Sequence, residues 1–397
     1  MNVTRLCSEL VKIRSENPPG NTEEIIYYLN DILDSLGLKT KTECCIGGRC
    51  NLVTEQEKGG LLLCGHVDVV PANQEGWSDD PFSGRIVDGM VTGRGSTDMK
   101  GGCAALICAY EKMLSRGLEP QTSFAIVCDE EEGGIYGVGR LLDKDLLIPA
   151  DCIIAEPTPR LHPCIGQKGV LRVRMVFFGE SGHSSLYPCV GENAIIKAMD
   201  FLERVHKLHR KRFKGSPDIE HYYPITKGIL KHYFGERASE GILDRVNYNP
   251  GIIHAGEKIN IIPERCVLDM DFRIPWGFSG NGLTKWIMEN AGNAQIDILT
   301  SFEPTFTPPN TSVVGHLASE IMRVYGKPAR PIVQWAATDA RYLRNHGFDV
   351  VDYGPGEITM LHAVNEYVRE EDLINAVDIY CGVMGNYCGE TKKCDLP

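Results

Sequence analysis

No two of the 15 cysteines in this 397-residue sequence stand at Cys-x-x-Cys spacing, which removes thioredoxin-like redox and zinc-ribbon readings. No stretch approaches the ~18 uninterrupted apolar residues that a membrane helix needs. Positive charge is also scarce: 41 Lys and Arg against 53 Asp and Glu leave a net charge of −12 with His neutral. A chain that acidic has no whole-surface field to draw nucleic acid or anionic lipid, so neither nucleic acid nor membrane is an expected partner. Internal repeats and low-complexity segments are lacking, and 24% charged with 43% hydrophobic residues excludes fibrous and disordered readings. The opening run Met1-Asn2-Val3-Thr4-Arg5-Leu6 shows no basic head before an apolar core, as a signal peptide would. Cys64, Cys108, Cys128 and Cys152 lie inside apolar runs, where a thiol acts as a small hydrophobe. Reduced thiols and a cytoplasmic location are the resulting expectation, with Cys44, Cys45 and Cys50 read as incidental surface cysteines.

The length exceeds one ordinary domain. Apolar residues at helical spacing predict two helices within the first 36 residues, separated by the Pro18-Pro19-Gly20-Asn21-Thr22 break. Short apolar runs follow at Leu61–Cys64, Phe124–Cys128 and Cys152–Ala155, with helical candidates at Gly101–Leu114 and Ile135–Leu142. Strand alternating with helix indicates an α/β layer with a mainly parallel sheet. Near Gln167 the texture changes. Strand-like alternation over Gly169–Gly179, a helix over Glu192–Leu208, strands at Gly251–His254 and Cys266–Phe272, a helix at Gly282–Asn290 and a strand at Ala294–Leu299 give the β-α-β-β-α-β order of a ferredoxin-like sandwich. After Pro304 the α/β texture returns, with helices near Val313–Val324 and Glu371–Tyr387. The expected division is a discontinuous catalytic domain, 1–167 and 304–397, interrupted by an α+β insert at 168–303.

Chemistry-bearing residues cluster where α/β sheets build sites, at strand ends and the loops after them. Gly65-His66-Val67-Asp68 places an imidazole and a carboxylate on one face of a strand end. A metal-binding His needs an acceptor for its other N–H, which Asp68 supplies either directly or through the neighbouring backbone, although a strand-end His beside a solvent-facing Asp would read the same. Gly93-Arg94-Gly95-Ser96-Thr97-Asp98 fails both the dinucleotide and P-loop patterns; it fits a tight loop delivering one carboxylate, or a helix cap. Asp129-Glu130-Glu131-Glu132 concentrates four acids that repel one another unless cations or protons intervene. Glu156 ends a third apolar run, and His362 lies in a loop before the last helix. Individually each is weak. Together His66, Asp98, Glu131, Glu156 and His362 form a mixed N/O set suited to zinc, cobalt or manganese. Five side chains are too many for one catalytic zinc, whereas a bridging Asp98 would give each of two ions one His, one Glu and a share of Asp98. Two such ions clamp a water and lower its pKa, and Glu130 is then a spare carboxylate for general-base work.

These stretches, with Glu156-Pro157-Thr158 and His362-Ala363-Val364-Asn365-Glu366, make the sequence resemble the dinuclear zinc amidohydrolases and exopeptidases that include acetylornithine deacetylase, succinyl-diaminopimelate desuccinylase, aminoacylase and bacterial carboxypeptidases. The resemblance covers nearly the whole chain. It implies a zinc-binding α/β domain interrupted by a ferredoxin-like lid through which a homodimer forms. It assigns one metal to His66, Asp98 and Glu156 and the other to Asp98, Glu131 and His362. Glu130 becomes the base and Asp68 the partner that orients His66. In the insert, Gly182-His183-Ser184-Ser185, Asn260-Ile261-Ile262-Pro263 and Asp271-Phe272-Arg273 match lid motifs. His183 is then the oxyanion stabiliser of a partner's site, while Asn260 and Arg273 are substrate contacts. Thr338-Asp339-Ala340-Arg341 resembles a substrate-side loop. The stretch from Phe213 to Asn249 matches no part of the pattern. The implied activity is removal of an acyl group from an N-acyl amino acid by a metal-bridged water, with di- or exopeptidase action on short peptides as the alternative.

Overall fold

The computed structural model describes residues 1–388 and separates into two units. The first comprises Met1–Ile165, Thr307–Ile332 and the described residues from Thr338; the second comprises Gly166–Phe306 with Val333–Ala337.

The first unit is built on a sheet whose spatial order is Thr40–Cys44, Cys50–Thr54, Thr122–Val127, Leu61–His66, Asp151–Pro157, Asp349–Gly354 and then the short Cys164–Gln167. Its centre is parallel: Leu61–His66 pairs in parallel with Thr122–Val127 and with Asp151–Pro157, and Asp349–Gly354 pairs in parallel with Asp151–Pro157. Its flanks are antiparallel. The sheet is therefore mixed rather than mainly parallel, because a tight hairpin adds two strands at one side and Cys164–Gln167 turns back on the other. Every residue of Leu61–His66 is buried, as is nearly every residue of its two neighbours, the signature of strands covered on both faces. Helices Val3–Lys12, Gly101–Ser115 and Glu370–Gly385 pack against one another. Each fully buried Leu, Ile or Val in such a core contributes about 1.5–3 kcal/mol.

The hairpin corrects one expectation. Cys44 and Cys50 are register partners that close it, and a disulfide joins them. Antiparallel pairing sets the two side chains opposite each other at bonding range, a relation hidden in the sequence because no strand was expected there.

In the second unit a four-stranded antiparallel sheet runs Asn247–Ala255, Arg265–Ile274, Gly169–Phe178, Gln295–Phe302. With helices Ala194–His209 and Gly280–Asn290 the chain order is β-α-β-β-α-β. Leu171, Val173, Met175 and Phe177 turn one face of the sheet into a core with Ala198, Phe201, Val205, Leu283 and Ile287. The alternate residues Arg172 and Arg174 lie opposite Asp271 and Asp269 and pair with them at 3.1 and 2.7 Å. Residues within 213–249 fold into the helices Pro217–Glu220, Tyr223–Phe234 and Glu236–Gly241. Among the described residues no helix is long and apolar enough to cross a membrane.

Candidate metal centre

His66 ends its strand, Glu156 lies near the end of the parallel neighbour, and Glu131 follows Thr122–Val127 on the other side. Asp98 arrives from a buried irregular turn, Ser96–Lys100, ahead of helix Gly101–Ser115. The backbone is crowded there. A Cβ on Gly102 would lie 2.2 Å from the Ala155 carbonyl oxygen, so glycine is what lets the Asp98 segment press against the strand carrying Glu156. Two further turns use left-handed backbone at residues other than glycine, Asp129 at φ 72° and His362 at φ 59°, a conformation that surrounding contacts must hold.

His66 Nε2 stands 3.1 Å from Asp98 Oδ1 and 3.7 Å from Glu156 Oε1. His362 Nε2 stands 3.4 Å from Asp98 Oδ2 and 3.1 Å from Glu131 Oε2. Two trios result, His66-Asp98-Glu156 and Asp98-Glu131-His362, each with candidate ligand atoms within 4.8 Å of one another. Asp98 belongs to both. Imidazole plus carboxylate suits zinc, cobalt or manganese, and Glu131 Oε1 is buried without a hydrogen-bond partner, an orphaned acceptor that a cation would satisfy. The residues present therefore fit a pair of divalent ions.

A profile for peptidase family M20/M25/M40 matches residues 62–386. The chain belongs to peptidase family M20/M25/M40. Family and site together make it a metallohydrolase. A probable succinyl-diaminopimelate desuccinylase of Staphylococcus aureus (strain N315) is 28% identical over 398 residues, covering 95% of each chain. A succinyl-diaminopimelate desuccinylase of Gluconacetobacter diazotrophicus is 29% identical over 354 residues, covering 85% of this chain and 84% of its own. Among solved structures, the metallo-carboxypeptidase Sso-CP2 from Sulfolobus solfataricus superposes with a TM-score of 0.81 at 21% identity, covering 97% and 98% of the two chains. Human carnosine dipeptidase 1 gives 0.70 at 16% identity, covering 96% of each.

In this M20/M25/M40 hydrolase the acids crowd one another. Burial and then the Asp98 charge push Glu131 up to about 7 and Glu156 well above the usual carboxylate range. Burial also raises Glu130, opposed by the charge of Arg341. Burial would raise Asp98 too, but hydrogen bonds with His362 and His66 hold it below its ordinary value. The bonds to Asp98 and Glu131 lift His362 to about 10. His66 is raised well above its ordinary value, since its bonds to Asp68 and Asp98 outweigh burial. Divalent ions would displace these protons, so binding and proton release are linked.

Of the two routes by which Asp68 was expected to orient His66, its carboxylate or the neighbouring backbone, the backbone is the nearer. His66 Nδ1 lies 2.9 Å from the Asp68 backbone carbonyl and 3.5 Å from its carboxylate, so the backbone supplies the shorter contact. The Asp68 carboxylate accepts the backbone N–H groups of Glu130 and Glu131, each at 3.2 Å, and Asn17 Nδ2 at 2.9 Å. Asp129 accepts from Asn17, from Arg49 Nε at 3.2 Å and from the Tyr136 N–H at 3.0 Å, which fixes the start of the acidic turn. Glu366, fully buried, pairs with Arg94 at 2.6 Å and accepts the N–H groups of Thr97 and Asp98. Arg94 in turn donates to the His362 and Ala363 carbonyls. The roles of Asn17, Arg49, Arg94 and Glu366 were missed. The signal available was the pair of opposite charges carried by two motif stretches.

His183, Asn260 and Arg273 belong to the second unit. His183 is exposed, with Nδ1 2.7 Å from the Ser185 hydroxyl, and the Asn260 carbonyl accepts the Ser184 N–H at 3.1 Å. Ser184, Tyr187 and Ile261 help line a cleft of about 490 Å³ beside them. Arg273 is half-buried and forks onto Asp271, with contacts of 2.9 and 3.3 Å.

Proposed function

We propose that this chain removes the acyl group from an N-acyl amino acid, with Glu130 as the proton carrier. The observation that carries the reading is that Glu130 stands next to a ligand-set residue in the chain yet belongs to neither trio, leaving its carboxylate for proton transfer. Two divalent cations, zinc first and cobalt or manganese as alternatives, would be held by His66, Asp98, Glu156, Glu131 and His362 and would supply Lewis acidity and an acidified water. Glu130 accepts a proton from the attacking water and returns it to the departing amine. His183, presented by a ferredoxin-like lid of a second copy in a homodimer, donates to the developing oxyanion. Asn260 and Arg273 contact the substrate's polar end, Arg273 through its planar fork once Asp271 shares it.

Deacylation is favoured over peptide cleavage because the relatives matched over most of both chains carry desuccinylase names. The dipeptidase and carboxypeptidase names of the superposing structures keep exopeptidase action as the second reading. Initial rates for acetyl- and succinyl-amino acids against dipeptides separate the two. Hydrolysis should cease with a strong chelator and return with zinc or cobalt. Activity indifferent to chelation would overturn the metal mechanism, and faster turnover of dipeptides would favour the peptidase.

A further inference from the structure

Glu130 is a carboxylate that two cations would attract, yet proton transfer requires it to remain unligated. What holds it is visible in the contacts of Arg341. This guanidinium is buried, and its Nη1 stands 3.5 Å from Glu130 Oε1. Nη1 also donates to the Thr338 carbonyl at 2.8 Å, and Nη2 donates to the Gly133 carbonyl at 2.7 Å. The Tyr342 hydroxyl donates to that same carbonyl at 2.8 Å. The side chain thus grips the acidic turn at both ends, at the Glu130 carboxylate and at the carbonyl three residues on. The segment from 338 to 342 lies tight against this turn: a Cβ on Gly134 would come within 2.4 Å of Asp339 Oδ1. Asp339 is buried and Oδ1 has no hydrogen-bond partner. Burial, then the Glu130 charge, raises its carboxyl well above the usual range, opposed by the charge of Arg341.

We propose that Arg341 is a positioning residue that keeps the Glu130 carboxylate aimed as a proton carrier and prevents it from becoming an additional metal ligand. A guanidinium suits this task because it carries full charge and five donors but no lone pair with which to bind a cation. The inference rests on the reading of Glu130 given above.

The test compares R341Q, R341K, E130Q and the double variant E130Q/R341Q in the full chain loaded with cobalt. For R341Q the expected result is a kcat lower by about a hundredfold, the scale of a small misplacement of a catalytic group. KM and two cobalt ions per chain are retained, while the visible cobalt absorption changes as Glu130 joins the ligands. R341K should recover part of kcat, because it restores charge without the fork. In the E130Q background R341Q should have no further effect on kcat. A wild-type kcat in R341Q, a raised KM with kcat intact, or additive losses in the double variant would each overturn the inference. Should R341Q fail to fold, R341K carries the test, and wild-type turnover there refutes it. Full activity in E130Q would instead remove the Glu130 reading itself, a separate failure.

Discussion

The Arg94–Glu366 pair allows a magnitude to be worked from the structure. Glu366 Oε2 meets Arg94 at 2.6 Å, while Oε1 accepts two backbone N–H groups at 2.9 and 3.1 Å. The substitution E366Q keeps the shape but cannot keep both sets of contacts. If its amide oxygen stays on the Thr97 and Asp98 N–H groups, the NH₂ faces a guanidinium, donor against donor; turned round, it abandons the backbone. Either way a buried arginine loses its counter-charge, which costs about 3–5 kcal/mol, a large part of a typical domain's stability. At 2–4 °C per kcal/mol for a domain of this scale, melting should fall by roughly 6–20 °C. Because the same pair fixes the Asp98 backbone and the His362 carbonyl, metal affinity should also fall by about 10–100-fold. Scanning calorimetry with and without zinc, and a competition titration with a coloured chelator, measure both. The control is R85Q, since the Arg85–Asp79 pair is about half exposed at each end and contributes at most about 1 kcal/mol. An E366Q protein that melts no lower than R85Q and binds zinc like the parent would refute the reasoning.

Glu130→Gln should lose about 10²–10⁴-fold in kcat while metal analysis still finds both ions; unchanged turnover would remove Glu130 as base. In chelator, Glu131 raised to about 7 and His362 raised to about 10 each favour folding most below their unfolded values and lose that contribution as pH rises through the folded ones. The metal-free protein should therefore melt progressively lower from about pH 5 to pH 7, above which the loss from His362 is opposed by Lys100, whose burial holds it down to about 7. With zinc the profile should flatten, and a chelated protein that grows more stable over that range would contradict the electrostatics. Non-reducing peptide mapping should recover a fragment linking Cys44 to Cys50, and complete alkylation of both thiols without reductant would count against the bond.

How much could be read from the chain alone depended on how local the determinants are. The helix of residues 3–12 announces itself through apolar periodicity, those of 101–115 and 370–385 through apolar stretches too long for a strand, and the insert's strand at 169–178 through the alternation of Leu171, Val173 and Met175 with Arg172 and Arg174. The five residues of the two trios were legible because each lies at the end of a short apolar run or in a Gly-rich or His-bearing loop, where chain chemistry changes abruptly. Cys50–Thr54 escaped because Asn51 and Thr54 break the apolar run, although both are buried and bonded. Asp349–Gly354 escaped likewise, since Asp352 looks solvent-facing until Arg344 and Thr338 are seen to hold it. The grip of Arg341 on Gly133 joins positions 208 residues apart, and Arg94 and Glu366 are 272 apart. Charges in a linear sequence carry no record of which partner they meet, so these roles emerge only once the backbone has brought the loops together.

The parallel pairing of Asp349–Gly354 with Asp151–Pro157 has a consequence for biosynthesis. The strand bearing Glu156 leaves the ribosome about 200 residues before the partner that completes its ladder, and contacts so distant in the chain are slow to form. Meanwhile the inserted sheet, whose strands and helices are contiguous from 169 to 302, can assemble as a unit during elongation. The nascent first unit must wait with an open strand edge, making truncation before residue 349 more damaging to the hydrolytic half than to the insert.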